Sequence, residues 1–122
     1  GRDITVRVQG SATDQSKGLK ATIKPVSFAL LDDVANALRD NPKIKVEIQG
    51  HTDSSGKRTN NLSLSRERAA AVKDHLVQRG LSADHLTAVG FGPDRPVASN
   101  RTDTGRARNR RIEFRVIRRE SR

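Results

Sequence analysis

Residues 46–69, VEIQGHTDSSGKRTNNLSLSRERA, decide how this chain is read. Val46 and Ile48 alternate with polar neighbours, the pattern of a strand with one buried face. The strand runs into Gly50-His51-Thr52-Asp53, and a polar loop with Gly56 carries the chain to Asn61. A helix then opens near Leu64. Leu64, Arg68, Val72 and Leu76 are spaced four apart and so share one helix face. Arg68 is the exception in that apolar row, and an unpaired buried charge costs several kcal/mol. Asp53 is the nearest candidate partner, either directly or through a bound molecule that carries both signs of charge. Taken alone, the pair reads first as a structural tie between strand and helix, because ion-pair networks are often structural.

Outward from this stretch, the chain reads as one α/β domain over residues 1–122, with residues 1–3 and 118–122 as frayed termini. Ile4, Val6 and Val8 alternate as a first strand; residues 10–22 are aperiodic and read as loop. Pro25 and Ser27 introduce a first helix with an apolar stripe of Leu31, Val34, Ala35 and Leu38. Asp32 and Asp33 suit its first turns, and Asn41-Pro42 stops it. Ile44 to Ile48 is the second strand. The second helix runs from Leu64 to Arg79, with Gly80 as its C-terminal cap. A third strand spans Leu86 to Phe91, residues 93–110 read as an Arg-rich irregular loop, and a last strand spans Arg111 to Ile117. A strand–helix–strand step implies parallel neighbours. The order β-α-β-α-β-β thus predicts a mixed four-stranded sheet with two main helices on one face.

Composition narrows the function. The 122 residues include no Cys, Met, Trp or Tyr and three Phe, so the core is aliphatic and neither disulfides nor thiolate metal sites are available. Twenty-four Lys+Arg against 14 Asp+Glu leave a net charge of +10, which favours anionic partners. No apolar run approaches the roughly 20 residues of a membrane helix. No signal peptide is visible, and Gly1 reads as the start of a piece of a longer chain, so any targeting segment would lie outside it.

Residues 46–116 resemble the OmpA-like C-terminal domain. The resemblance is carried by Gly50-His51-Thr52-Asp53, Gly56, Asn61, Leu64-Ser65, Arg68-Ala69, Val72, Leu76 and Gly80. It continues through Gly90-Phe91-Gly92, Pro96, Asn100-Arg101-Thr102, Gly105-Arg106, and Asn109-Arg110-Arg111 with Glu113. The first strand lacks the aromatic residue frequent in that family. The resemblance implies a non-enzymatic module that binds peptidoglycan non-covalently through the diaminopimelate of the stem peptide. It implies that Asp53 and Arg68 hold that residue, and it implies no cofactor or metal. It also implies a parent protein in the periplasm, attached to the outer membrane or cell envelope through a segment not present in this chain. The chemistry agrees: Arg68 can take the carboxylate bidentately and Asp53 the ammonium. Backbone NH groups around Thr52 and Asn61 and at the helix start are further donors. Either Arg110 or Arg111 packs over the site or contacts glycan, or the segment only braces its loop, with Asn109 satisfying turn backbone and Arg110 tied to a carboxylate.

Two other classes compete. The charge invites a basic nucleic-acid- or polyanion-binding module. However, the three Phe (Phe28, Phe91, Phe114) sit at core-like positions, leaving no stacking platform, so no specific nucleic acid is expected. The ten Arg between Arg95 and Arg122 read mostly as a solvated surface with affinity for anionic lipid or glycan. His51-x-Asp53 with His75 or His85 would be a hydrolytic metal site, but no HExxH spacing is present. Ser63 and Ser65 lack a Gly-x-Ser-x-Gly elbow, and His51 reads as bonded to its own loop.

Overall fold

A computed structural model describes residues 3–8, 13–14, 22–23, 28–41 and 43–118. Nine elements follow in order: β1 (Asp3–Val8), β2 (Thr13–Asp14), β3 (Thr22–Ile23), α1 (Phe28–Arg39), β4 (Ile44–His51), α2 (Arg58–Gln78), β5 (Leu86–Gly92), α3 (Asp103–Asn109) and β6 (Arg111–Arg118). A 3-10 turn, Ala83–His85, leads into β5. The main sheet has the order β1-β6-β4-β5. β4 and β5 are parallel, joined by α2, while β6 is antiparallel to both β4 and β1. The mixed four-stranded sheet expected from the sequence is therefore present. β6 is inserted between the two strands that open the chain's strand–helix units.

One layer of helix covers one face of this sheet. Leu31 and Ala35 of α1 join Ala69, Val72 and Leu76 of α2 in a single buried cluster. The sheet side consists of Val46, Ile48, Leu86, Ile112 and Phe114. Each such large side chain contributes about 1.5–3 kcal/mol on burial. Ile4, Val6 and Val8 lie in register with Val116, Phe114 and Ile112; their side chains, and that of Phe28, lie outside the described residues.

Several boundaries differ from expectation. The 10–22 stretch contributes β2, which pairs with β3. α2 begins at Arg58, six residues before Leu64, so Asn61 belongs to the first turn of a helix rather than to a loop. The inward face of α2 is Ser65, Ala69, Val72 and Leu76, and Leu64 is only half-buried. Gly80 does follow the helix in the left-handed region, at φ +100°. Asp32 is not in the first turn of α1; it accepts from Arg79 (2.8 Å) and contacts the ring of His75 (3.1 Å), linking the two helices. The 93–110 stretch contains α3, capped by Thr102, whose hydroxyl accepts from the Gly105 amide at 2.9 Å.

The start of α2's inward face is set by two glycines. A Cβ on Gly50 would run into the Ser65 carbonyl, and one on Gly90 would stand 2.5 Å from the Ser65 hydroxyl. Helix and strands thus meet backbone against backbone, with Ser65 fully buried between them. Its hydroxyl donates to the Leu62 carbonyl and accepts from the Gly92 amide, both at 2.9 Å. Gly50→Ala has only backbone to push against and is expected to lower unfolding free energy by about 3 kcal/mol or more. Urea denaturation reads this as a lower midpoint at unchanged slope; an unmoved midpoint refutes the contact.

Candidate ligand-binding site

The site lies where β4 ends. The β4–β5 register slips by one residue between Gly50 and His51, leaving Phe91 unpaired. The chain then turns away through Thr52 and Asp53. The Thr52 amide donates to the Gly92 carbonyl (2.9 Å), and the Thr52 hydroxyl donates to the Asp53 carbonyl (2.7 Å). Asn61 reaches back from α2 and donates to the carbonyls of Ser55 (2.8 Å) and Asp53 (3.4 Å). The Thr52 amide expected to face a ligand is therefore committed to β5, and Thr52 and Asn61 shape the loop that presents Asp53.

Asp53 is 8% exposed. One carboxylate oxygen accepts from the Ser55 amide at 2.8 Å, the turn geometry typical of Asp. The other accepts from Arg110 at 2.5 Å. Burial pushes this carboxyl upward, but the Ser55 amide and Arg110 outweigh it and hold it below its ordinary 3.8.

Arg68 enters from α2, three residues beyond Ser65. Helical side chains lean toward the helix N-terminus, so its long stem points back to the strand end. The residue is 2% exposed. Its guanidinium donates to the His51 carbonyl at 3.4 Å, and its Nε has no partner among the described residues. No carboxylate among the described residues lies within ion-pair distance of it. The direct Asp53–Arg68 pair considered from sequence is replaced by Asp53–Arg110. Burial, and then the nearby Arg110 charge, depress Arg68 to about 10, with Asp53 acting in the opposite direction.

Arg110 is fixed by its two neighbours. Asn109 is fully buried; its side chain accepts from the amides of Val97 (2.8 Å) and Ala98 (2.9 Å) and donates to the Ala98 carbonyl and the Asn100 side chain. Arg111, 2% exposed, donates to Glu113 (2.5 Å) and to the carbonyls of Asn109 (3.0 Å) and Arg95 (2.7 Å). The structural alternative for this segment is what the geometry shows: Asn109 braces the loop, and Arg110 is tied to a carboxylate, that of Asp53.

The sheet face away from the helices carries a buried polar network that sequence reading missed. His51 contacts the Gln49 side chain at 3.2 Å and stacks on Phe91 with centroids 5.5 Å apart, so it bonds within its strand rather than with the loop. Phe91 lies on this face, not in the core, with the Arg95 guanidinium 3.8 Å over its ring. Among the described residues, no three His, Asp or Glu side chains converge as a metal set.

Fold and site together define a class: a two-layer α/β module that gathers opposite charges at one end of its sheet. The chain belongs to the OmpA family, which residues 17–110 match. The peptidoglycan-binding protein ArfA of Mycobacterium bovis is 44% identical over 94 residues, 77% of this chain and 29% of that protein. The probable lipoprotein YiaD of Escherichia coli is 38% identical over 114 residues, 93% of this chain and 51% of that protein. The chain thus spans about half of one of these relatives and under a third of the other. The peptidoglycan-associated lipoprotein of Burkholderia pseudomallei superposes with a TM-score of 0.79 at 29% identity, covering 89% of this chain and 91% of that one. The cell wall anchor of the T6SS from Pseudomonas aeruginosa gives 0.80 at 33%, covering 96% and 82%.

A carboxyl held below its ordinary range contributes stability above that range and loses it as acid protonates the folded state. The melting-temperature gap between wild type and Asp53→Asn is expected to stay constant from neutral pH down to about pH 5 and to close only below 3.8. Circular dichroism melts across pH test this; a gap that closes above pH 5 contradicts it.

Proposed function

We propose that this domain binds peptidoglycan non-covalently through the diaminopimelate of the stem peptide, and so anchors a larger envelope protein, or the outer membrane, to the cell wall in the periplasm. The observation that carries this reading is Arg68, a guanidinium out of water with one long hydrogen bond and no carboxylate of its own among the described residues. As a structural tie it is poor, since a buried charge without an opposite charge destabilises a fold. As a receptor for a carboxylate it is already desolvated and already placed. Asp53 beside it takes the ammonium on the same carbon. Each charge-assisted bond is worth about 1.5–3 kcal/mol. The similarity to the peptidoglycan-binding protein ArfA, to the peptidoglycan-associated lipoprotein and to the cell wall anchor supports the reading. The module acts by holding its ligand, and no catalytic role is assigned. Exposed Arg66, Arg101 and Arg108 add a basic surface that draws the domain toward anionic lipid or glycan and weakens with salt.

In a pull-down with purified sacculi, Asp53→Ala and Arg68→Met are each expected to lose binding about tenfold or more, the equivalent of one charge-assisted bond. Arg68→Met is also expected to melt at or above the wild-type temperature, because an apolar chain of similar length removes a buried charge. A large fall in melting temperature with binding intact would return Arg68 to the role of structural tie.

A further inference from the structure

We infer that the site selects a head group with a free carboxylate and discriminates against the same head group once that carboxylate is an amide. This selectivity rests on the peptidoglycan reading above and sharpens its substrate class.

Three charged side chains converge on the site: Arg68, Arg110 and Asp53. Two are cations and one is an anion. Arg110 takes the anion at 2.5 Å, which leaves Arg68 without a counter-charge. The local balance is one negative charge short, and the shortfall falls on a group 2% exposed, where water cannot make it good. The depressed Arg68 value has the same origin, burial first and Arg110 second.

An arriving ammonium adds a positive charge and competes with Arg110 for Asp53. From that moment two guanidinium groups need anions and Asp53 is shared. A ligand whose ammonium stands beside ionised carboxylate answers both demands. An amide keeps the shape of the carboxylate but brings no charge. It also exchanges one acceptor oxygen for an NH2 donor. Arg has five N–H donors and no acceptor, so that NH2 meets only donors at Arg68. Burial removes the water that would otherwise relieve the mismatch. Amidation therefore weakens binding here far more than it would at an exposed arginine.

The test is isothermal titration of the wild-type chain with two synthetic stem tripeptides. They are identical except that the D-centre of diaminopimelate carries a free carboxyl in one and a carboxamide in the other. The amide is expected to bind tenfold or more weakly than the acid; a smaller difference overturns the selectivity. If neither tripeptide binds, the peptidoglycan reading itself fails, a result distinct from equal binding. The Arg110→Gln variant, at a side chain 38% exposed, removes the second cation while leaving the core intact. There the acid-to-amide ratio is expected to narrow threefold or more. An unchanged ratio would overturn the part given to Arg110.

Discussion

The contact on which the structure depends is the seating of α2 directly on the backbone of β4 and β5. Gly50 and Gly90 carry no side chain, and Ser65 closes the space between them. Its hydroxyl answers both the helix and the Gly92 amide, so the polar group costs nothing in hydrogen bonds. From this seat the rest follows by helix geometry. Ala69, Val72 and Leu76 fall on the apolar sheet face. Arg68, at the flank of that stripe, leans back to the strand end, where His51 offers only a carbonyl. A guanidinium reaches an interior position because the backbone approach leaves it nowhere else to go.

The second cation is placed by the opposite strategy. Arg110 has an ordinary, partly exposed side chain, and the precision lies in its neighbours. Asn109 clamps the 97–100 segment and Arg111 clamps Arg95, both from buried positions. Two rigid residues thus deliver the one between them to Asp53. Thr52 and Asn61 do the same for the carboxylate, each bonding loop backbone. Arg110 and Asp53 are thus each held by neighbours that bond the loop backbone. Such preorganisation limits the ordering cost of taking up a ligand.

Fold class, the sheet and the approximate place of every main helix were legible in the sequence, because alternation in Ile44–Ile48 and Ile112–Val116 and the apolar rows of both helices are strong local signals. The convergence of Asp53 and Arg68 on one end of the sheet was legible too. What was hidden depended on tertiary contact. Thr59, Asn60, Asn61 and Ser63, in the first turns of α2, are weaker helix formers; Leu62, packed near Gly92, helps hold them in the helix. α3 was masked by Gly105, which disfavours a helix yet is required because any side chain there would strike the Ser99 carbonyl. Thr102 followed by Asp103, with Arg106 and Arg108 near the far end, was a usable signal for that helix. Arg110 as Asp53's partner could not be read, since 57 residues separate them and no periodicity links a loop to the residue between α3 and β6. Phe91 was misplaced because its aromatic ring was read as core, although alternation from the buried Leu86 through the helix-facing Gly90 puts it on the opposite face.

The strand order β1-β6-β4-β5 has a mechanical corollary. β6 starts beside His51 at the site and ends beside Ile44, and Asp3 of β1 pairs with Ile117. The two outermost described residues, Asp3 and Arg118, therefore emerge side by side at the far end of the sheet, roughly 25 Å from the charged cluster at about 3.3 Å per residue. A pulling force between the site and Asp3 runs along the strands. It loads the β1–β6 ladder in shear, with six paired positions resisting together, instead of peeling them apart one at a time.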